Sequence, residues 1–167
     1  MNLSVLKHVH LTTIPSASAV EVINGNIYIV GDDSSFLYVL KYDLTLLAEV
    51  PLYKAKAEDF VGNRILKKKK TDLECITKLA INGYPHLLIL GSGSKSPRRD
   101  VAFLVKLPTP YNRKHLVWEI SLVKWYSFLR MNEEVTGDSG VLNFEAAATT
   151  DDYLYVFNRE NNAALRF

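Results

Sequence analysis

The sequence predicts an all-β fold, a β-propeller carried here by about three four-stranded blades. Three observations predict it. Segments beginning at Ala19, Asp72 and Asn143 can be laid over one another. Each opens on an apolar residue followed by a glutamate: Val20-Glu21, Leu73-Glu74 and Phe144-Glu145. Each then passes through a turn signal, a short apolar run, a polar tip and a second apolar run, and the runs have strand length rather than helix length. The glutamates are spaced 53 and 71 residues apart, so the repeats carry insertions. The competing architecture is a β-sandwich with chance similarity. The recurrence of the glutamate at one place in each unit favours the propeller.

The elements follow in chain order. Residues 3–14 read as a strand belonging to none of the three units. The first blade is assigned to residues 19–53. "IYIV" and "FLYVLKY" flank the polar tip "GDDSS", and a fourth strand lies near Leu46–Leu52. Its hairpin signal is Asn24-Gly25, because Asn and Gly accept positive φ at low cost. The lysine tract Lys67–Lys70 precedes the second blade and reads most simply as a solvated loop. The second blade, residues 72–121, repeats the Asn-Gly signal at Asn82-Gly83, carries the tip "GSGSKSPRR" and has a candidate fourth strand at Leu116–Ser121. Residues 122–135 place Leu122, Trp125, Phe128 and Leu129 at roughly helical spacing and read as a helical or irregular insertion. An incomplete blade occupies residues 143–167. Three blades do not close a ring, since roughly four to eight are needed. The expectation is therefore a fragment of a chain about twice as long, or closure by a second copy.

Composition bounds the function. A formal net charge of +2 argues against a nucleic-acid partner. No apolar run approaches the roughly 20 residues that span a bilayer, so no membrane partner is expected. The N-terminus lacks a long apolar stretch of the secretory kind, which points to a cytoplasmic protein. The single Cys75 allows no internal disulfide and reads as a small buried residue. His8 and His10 alternate without a third ligand, and His86 and His115 are isolated. Trp118, Trp125 and Tyr126 read as packing between blades.

Two sets of side chains carry chemistry. Glu21, Glu74 and Glu145, at the start of innermost strands, would converge near a propeller axis. Carboxylates held together repel unless they share protons or a cation. Calcium, which takes six to eight oxygens, suits such a ring, with Asp32, Asp33 and Asp72 as further donors. The structural alternative is that each glutamate caps backbone N–H groups of the neighbouring blade. The second set is the tip "LGSGSKSPRRD". Gly91 and Gly93 permit a backbone nest for anions, Ser92 and Ser94 add hydroxyls, and Lys95, Arg98 and Arg99 add positive charge. The tip lacks P-loop spacing, and it is followed by a strand rather than a helix, which removes the dinucleotide fingerprint. Its plain reading is a shaped hairpin whose arginines balance the glutamates. Arg159 and Asn161 occupy the matching tip of the third unit. If Lys67–Lys70 faces the same mouth, the site favours a small phosphorylated or carboxylated ligand.

The stretches "VEVINGNIYIVGDDS", "KKKKTDLECIT", "LLILGSGSKSPRRDVAFLV" and "NFEAAATTDDYLYVFNREN" resemble a family of uncharacterised bacterial propellers, distantly related to the phytase-like and SdiA-regulated six-bladed proteins. The resemblance implies about six blades around a polar central channel. Phytase-like propellers use clustered carboxylates and calcium, but with a richer aspartate pattern than this chain carries. Two functions follow. One is a non-catalytic ligand-binding or scaffold propeller that takes an anionic or phosphorylated ligand. The other is a calcium-assisted phosphoester or ester hydrolase.

Overall fold

The computed structural model describes residues 4–167. Thirteen strands and two short helices are arranged mainly as three antiparallel meanders. The first is four-stranded: β1 (Ala17–Ile23), β2 (Asn26–Gly31), β3 (Phe36–Lys41) and β4 (Leu46–Pro51), paired in chain order. A two-stranded hairpin follows, β5 (Phe60–Val61) with β6 (Arg64–Ile65). The second meander comprises β7 (Leu73–Ile81), β8 (Tyr84–Gly91), β9 (Val101–Lys106) and β10 (Leu116–Ser121). Helices α1 (Val123–Arg130) and α2 (Glu133–Thr136) fill the expected insertion. The third meander has three strands, β11 (Phe144–Thr149), β12 (Leu154–Asn158) and β13 (Ala163–Arg166). The described residues form these meanders and no closed ring.

The Asn-Gly signals do the work assigned to them. Asn24 and Gly25 have φ of 49° and 83°, and Asn82 and Gly83 have 51° and 77°. Positive φ at both central residues matches the right-handed twist of the flanking strands. The third unit lacks such a pair and turns through a wider loop, closed by the Thr150 N–H donating to the Tyr153 carbonyl at 2.9 Å.

The first strands β1 and β11 both pack against β7. One core joins the first two meanders through Val30, Leu37, Leu73, Leu87, Ile89 and Phe103. Complete burial of each such side chain contributes on the order of 2 kcal/mol. A second core joins the second and third meanders through Cys75, Leu90, Tyr126, Phe144 and Val156. Trp125 and Tyr126 sit in it beside Phe144, as the packing reading requires, and Cys75 is fully buried. Trp118 is 47% exposed and takes no part. Polar bonds reinforce the central strand from both sides. The Lys78 N–H donates to Glu21 Oε2 at 3.1 Å, and the Lys78 carbonyl accepts from the Thr149 hydroxyl.

The leading strand is not found. Leu3 lies outside the described residues, and residues 4–14 form no strand. Val5 and Leu6 are exposed, while only Leu11 and Ile14 pack, against the outer face of the first meander beside Tyr38 and Leu40. Alternation of apolar residues is present, but residues 4–14 pair with no strand.

Candidate functional site

Each first strand bulges near its start. Pairing shifts between Ala17 and Ala19, between Leu73 and Cys75, and between Phe144 and Ala146. The extra residues are therefore Ser18, Glu74 and Glu145. A backbone bond below each bulge confirms the equivalence. The N–H groups of Asp32, Ser92 and Arg159 donate to the carbonyls of Ser16, Asp72 and Asn143 at 3.2, 2.9 and 2.9 Å. The repeat thus aligns Glu74 with Glu145, as the sequence suggested, but sets Ser18 rather than Glu21 beside them. Glu21 lies three residues further along β1, where its carboxylate takes the Lys78 N–H of the next meander. A bulge inserts one residue without altering composition, so matching the apolar-Glu dipeptides misaligned the first unit.

Asp32, Asp72 and Glu74 gather below these bulges, each offering an oxygen within 4.8 Å of the others. The Lys70 ammonium lies among the aspartates, 2.8 Å from Asp72 Oδ1 and 3.1 Å from Asp33 Oδ1, and it also pairs with Asp32. Lys70 is only 8% exposed, contrary to the solvated-loop expectation for the end of the lysine tract. Burial opposes its charge, but hydrogen bonds to Asp32, Asp72 and Asp33 outweigh burial and hold its pKa above the ordinary lysine range. Asp72 Oδ2 accepts from Ser92 Oγ at 2.6 Å and from Arg99. Burial would raise the Asp72 pKa, yet Lys70, Ser92 and Arg99 together keep it below the usual value. Glu74 has no such cation. Burial, with repulsion from Asp72, Glu145 and Asp32, pushes its pKa up to about 7.

Among the described residues, Glu21, Glu74 and Glu145 are not gathered as one set of ligands. Glu21 accepts from Lys78 N–H and from its own neighbour Val22, and Glu145 pairs with Arg159 at 3.0 Å. Among the described residues, Lys70 holds the place in the aspartate cluster that a bound cation would need.

The glycine- and serine-rich tip divides into two parts. Its first half is internal architecture. Ser92 and Ser94 share a 2.8 Å hydrogen bond, Arg99 donates to Ser94 Oγ at 2.6 Å, and Ser92 and Arg99 are buried. The N–H groups of Ser92, Gly93 and Ser94 are taken by Asp72, Arg99 and Ser92 itself, so they present no open anion nest. Arg130 clamps the base of the tip through Asp100 and the Gly93 carbonyl. The other half, Lys95 to Arg98, is exposed.

Lys95 and Arg98 line a cleft of ≈ 790 Å³ whose opposite wall is the lysine tract. Arg98 reaches across it, with Nη1 at 3.4 Å from the Lys69 carbonyl. Lys69 pairs with Asp59 at 3.2 Å. Lys54, Lys67, Lys68, Lys95 and Arg98 make no ion pair among the described residues. Lys54 was not singled out by the sequence, since a lone lysine after a strand gives no signal. Arg159 belongs to the third meander and does not line the cleft, and Asn161 donates to the Val135 carbonyl at 2.9 Å in a structural role.

Residues 13–167 match DUF6929, a family of unknown function. The chain belongs to that family. No curated protein and no solved structure matches it. The DUF6929 match covers the three meanders, the aspartate cluster and the basic cleft. No helix of the described residues is long and apolar enough to cross a membrane.

Proposed function

We propose that the chain is a propeller-type binding module that holds a small anionic ligand in the basic cleft between its first and second meanders. One observation carries the reading: five cations that form no ion pair among the described residues line a cleft of ≈ 790 Å³, a size suited to a small molecule. Like charges held around one concavity repel, and an anion relieves that repulsion. The floor is preorganised, because Lys70 and Arg99 are fixed on Asp72 and do not need ordering when a ligand arrives. Support for the propeller arrangement comes from three meanders whose first strands lie together and bulge at the same position. The test is a titration with phosphate and sulfate followed by amide NMR. Shifts confined to residues 67–71 and 95–99, and lost in a Lys95→Gln/Arg98→Gln variant, support the reading. An unchanged spectrum overturns it.

The second reading, a calcium-assisted hydrolase, draws on the oxygens of Asp32, Asp72 and Glu74 within 4.8 Å of one another. Lys70 weighs against it by supplying positive charge there already. Phosphatase or esterase turnover that requires calcium and is lost in Glu74→Gln would favour this second reading.

A further inference from the structure

We propose that the cleft selects a ligand with two linked phosphate groups over a single phosphate or a polycarboxylate of similar charge; this rests on the anion-binding reading above. The argument begins with charge balance. Asp59 is neutralised by Lys69, and Asp100 by Arg130. The remaining acid on the lining is Glu119, against five cations that form no ion pair among the described residues. A monophosphate, carrying roughly one to two negative charges near neutral pH, leaves most of that excess in place. A diphosphate carries roughly three and offsets it more closely.

Placement points the same way. The free cations come from three separate segments: Lys54 after β4, Lys67 and Lys68 before β7, and Lys95 and Arg98 between β8 and β9. One tetrahedral group presents three or four oxygens around a single centre, and five cations from three segments cannot all reach it in good geometry. Two linked groups can engage the lysine tract at one end and the Lys95–Arg98 wall at the other. The lysine ammoniums act as rotatable point charges and the Arg98 guanidinium as a planar fork, a combination matched to phosphate oxygens. A carboxylate offers two oxygens in a flat geometry, where each linked phosphate offers three in a tetrahedral one. Tyr53, Ile65 and Val101 add apolar surface to the lining beside the charged groups.

The experiment is calorimetric titration of the 167-residue chain with orthophosphate, pyrophosphate and citrate, at fixed ionic strength and with EDTA present. The expected result is pyrophosphate binding at least tenfold tighter than orthophosphate, with citrate no tighter than orthophosphate. The Lys67→Gln/Lys68→Gln double variant should lose most of the tenfold preference while melting within a few degrees of the parent. Orthophosphate within tenfold of pyrophosphate overturns the two-phosphate inference and leaves the anion site standing. Citrate matching pyrophosphate overturns the phosphate preference alone. Absence of heat and of any thermal shift with all three anions overturns both readings.

Discussion

Asp72 and Lys70 form the contact on which the candidate site is built: Asp72 Oδ1 lies 2.8 Å from the Lys70 ammonium, with both side chains less than a tenth exposed. Asp72 adopts φ of 59° at the entry to β7, a conformation that aspartate tolerates better than most residues. That turn aims its carboxylate at Lys70 on one side and at Ser92 and Arg99 on the other. One residue thereby fixes both walls of the basic cleft.

Replacing Asp72 with Asn keeps the shape but strips buried Arg99 of its carboxylate and removes one of the three that serve Lys70. Breaking a buried pair from one side typically costs about 3–5 kcal/mol. Asp72→Asn should therefore lower stability by about 3 kcal/mol in a urea titration at neutral pH. The depressed Asp72 pKa gives the sign of the pH dependence. Its contribution is present above the ordinary carboxylate pKa and is lost as pH falls through the native value, so the penalty of Asp72→Asn should shrink in strong acid. A loss below about 1 kcal/mol would show that the network is not a structural element.

Glu74 has the opposite behaviour. Its pKa rises from an ordinary 4.5 to about 7, so the native state holds the proton more tightly than the unfolded chain. The associated stability is complete below pH 4.5, declines as pH rises from 4.5 to about 7, and is gone above that. Glu74 is partly open to solvent, and screening brings the effect to on the order of 1–2 kcal/mol. Glu74→Gln should match the parent at pH 4 and exceed its melting stability at pH 8. Parallel stability curves for the two proteins across that range would contradict the assignment.

Much of this arrangement is legible in the sequence. The Asn-Gly turns at Asn24-Gly25 and Asn82-Gly83 and the fourth strand at Leu116–Ser121 follow from local chemistry, and the structure contains them. The lysine tract reads most simply as a solvated loop, and its gathering with Lys95 and Arg98 depends on how the loops fold back, which the sequence states only as a condition. What local patterns do not encode is register and pairing. Glu21 shares its dipeptide context with Glu74, yet a bulge at Ser18 sets them three positions apart. Lys70 looks identical to Lys67, Lys68 and Lys69 in the sequence, and only the three aspartates brought from the first and second meanders make it a buried residue. Residues 4–14 alternate like a strand, but strand formation needs a partner that local sequence does not specify.

Lys70 also decides how the carboxylate cluster responds to metal. In the parent protein calcium should leave the melting temperature unchanged, since the ammonium already serves Asp32, Asp33 and Asp72. Lys70→Met should lower the melting temperature in EDTA by leaving those carboxylates uncompensated. Calcium should then restore part of the loss, rising with the logarithm of its concentration as for any ligand that binds only the folded state. Thermal melts of both proteins in EDTA and in millimolar calcium check this. A calcium response in the parent as large as in the variant would mean that Lys70 does not hold the cation position, and would strengthen the hydrolase reading.

Gly91 offers a separate test of how the meander frame supports the cleft. It pairs with Leu73 at the end of β8, and a Cβ there would meet the Arg99 carbonyl at 2.6 Å and the Thr71 carbonyl at 2.9 Å. Gly31 is its counterpart in the first meander, where a Cβ would meet the Pro15 carbonyl at 2.3 Å. Both obstacles are backbone atoms and cannot swing aside as a side chain would. Gly91→Ala and Gly31→Ala should each cost about 1–3 kcal/mol in urea denaturation, the usual range for overpacking. Their effects on anion binding should differ. Gly91→Ala pushes on the segment that carries Arg98 and Arg99 and should weaken pyrophosphate binding severalfold. Gly31→Ala displaces residues 15 and 16, away from the cleft lining, and should leave that affinity unchanged where the protein remains folded. Equal losses of affinity in the two variants would show that binding follows global stability rather than the position of the Lys95–Arg99 segment.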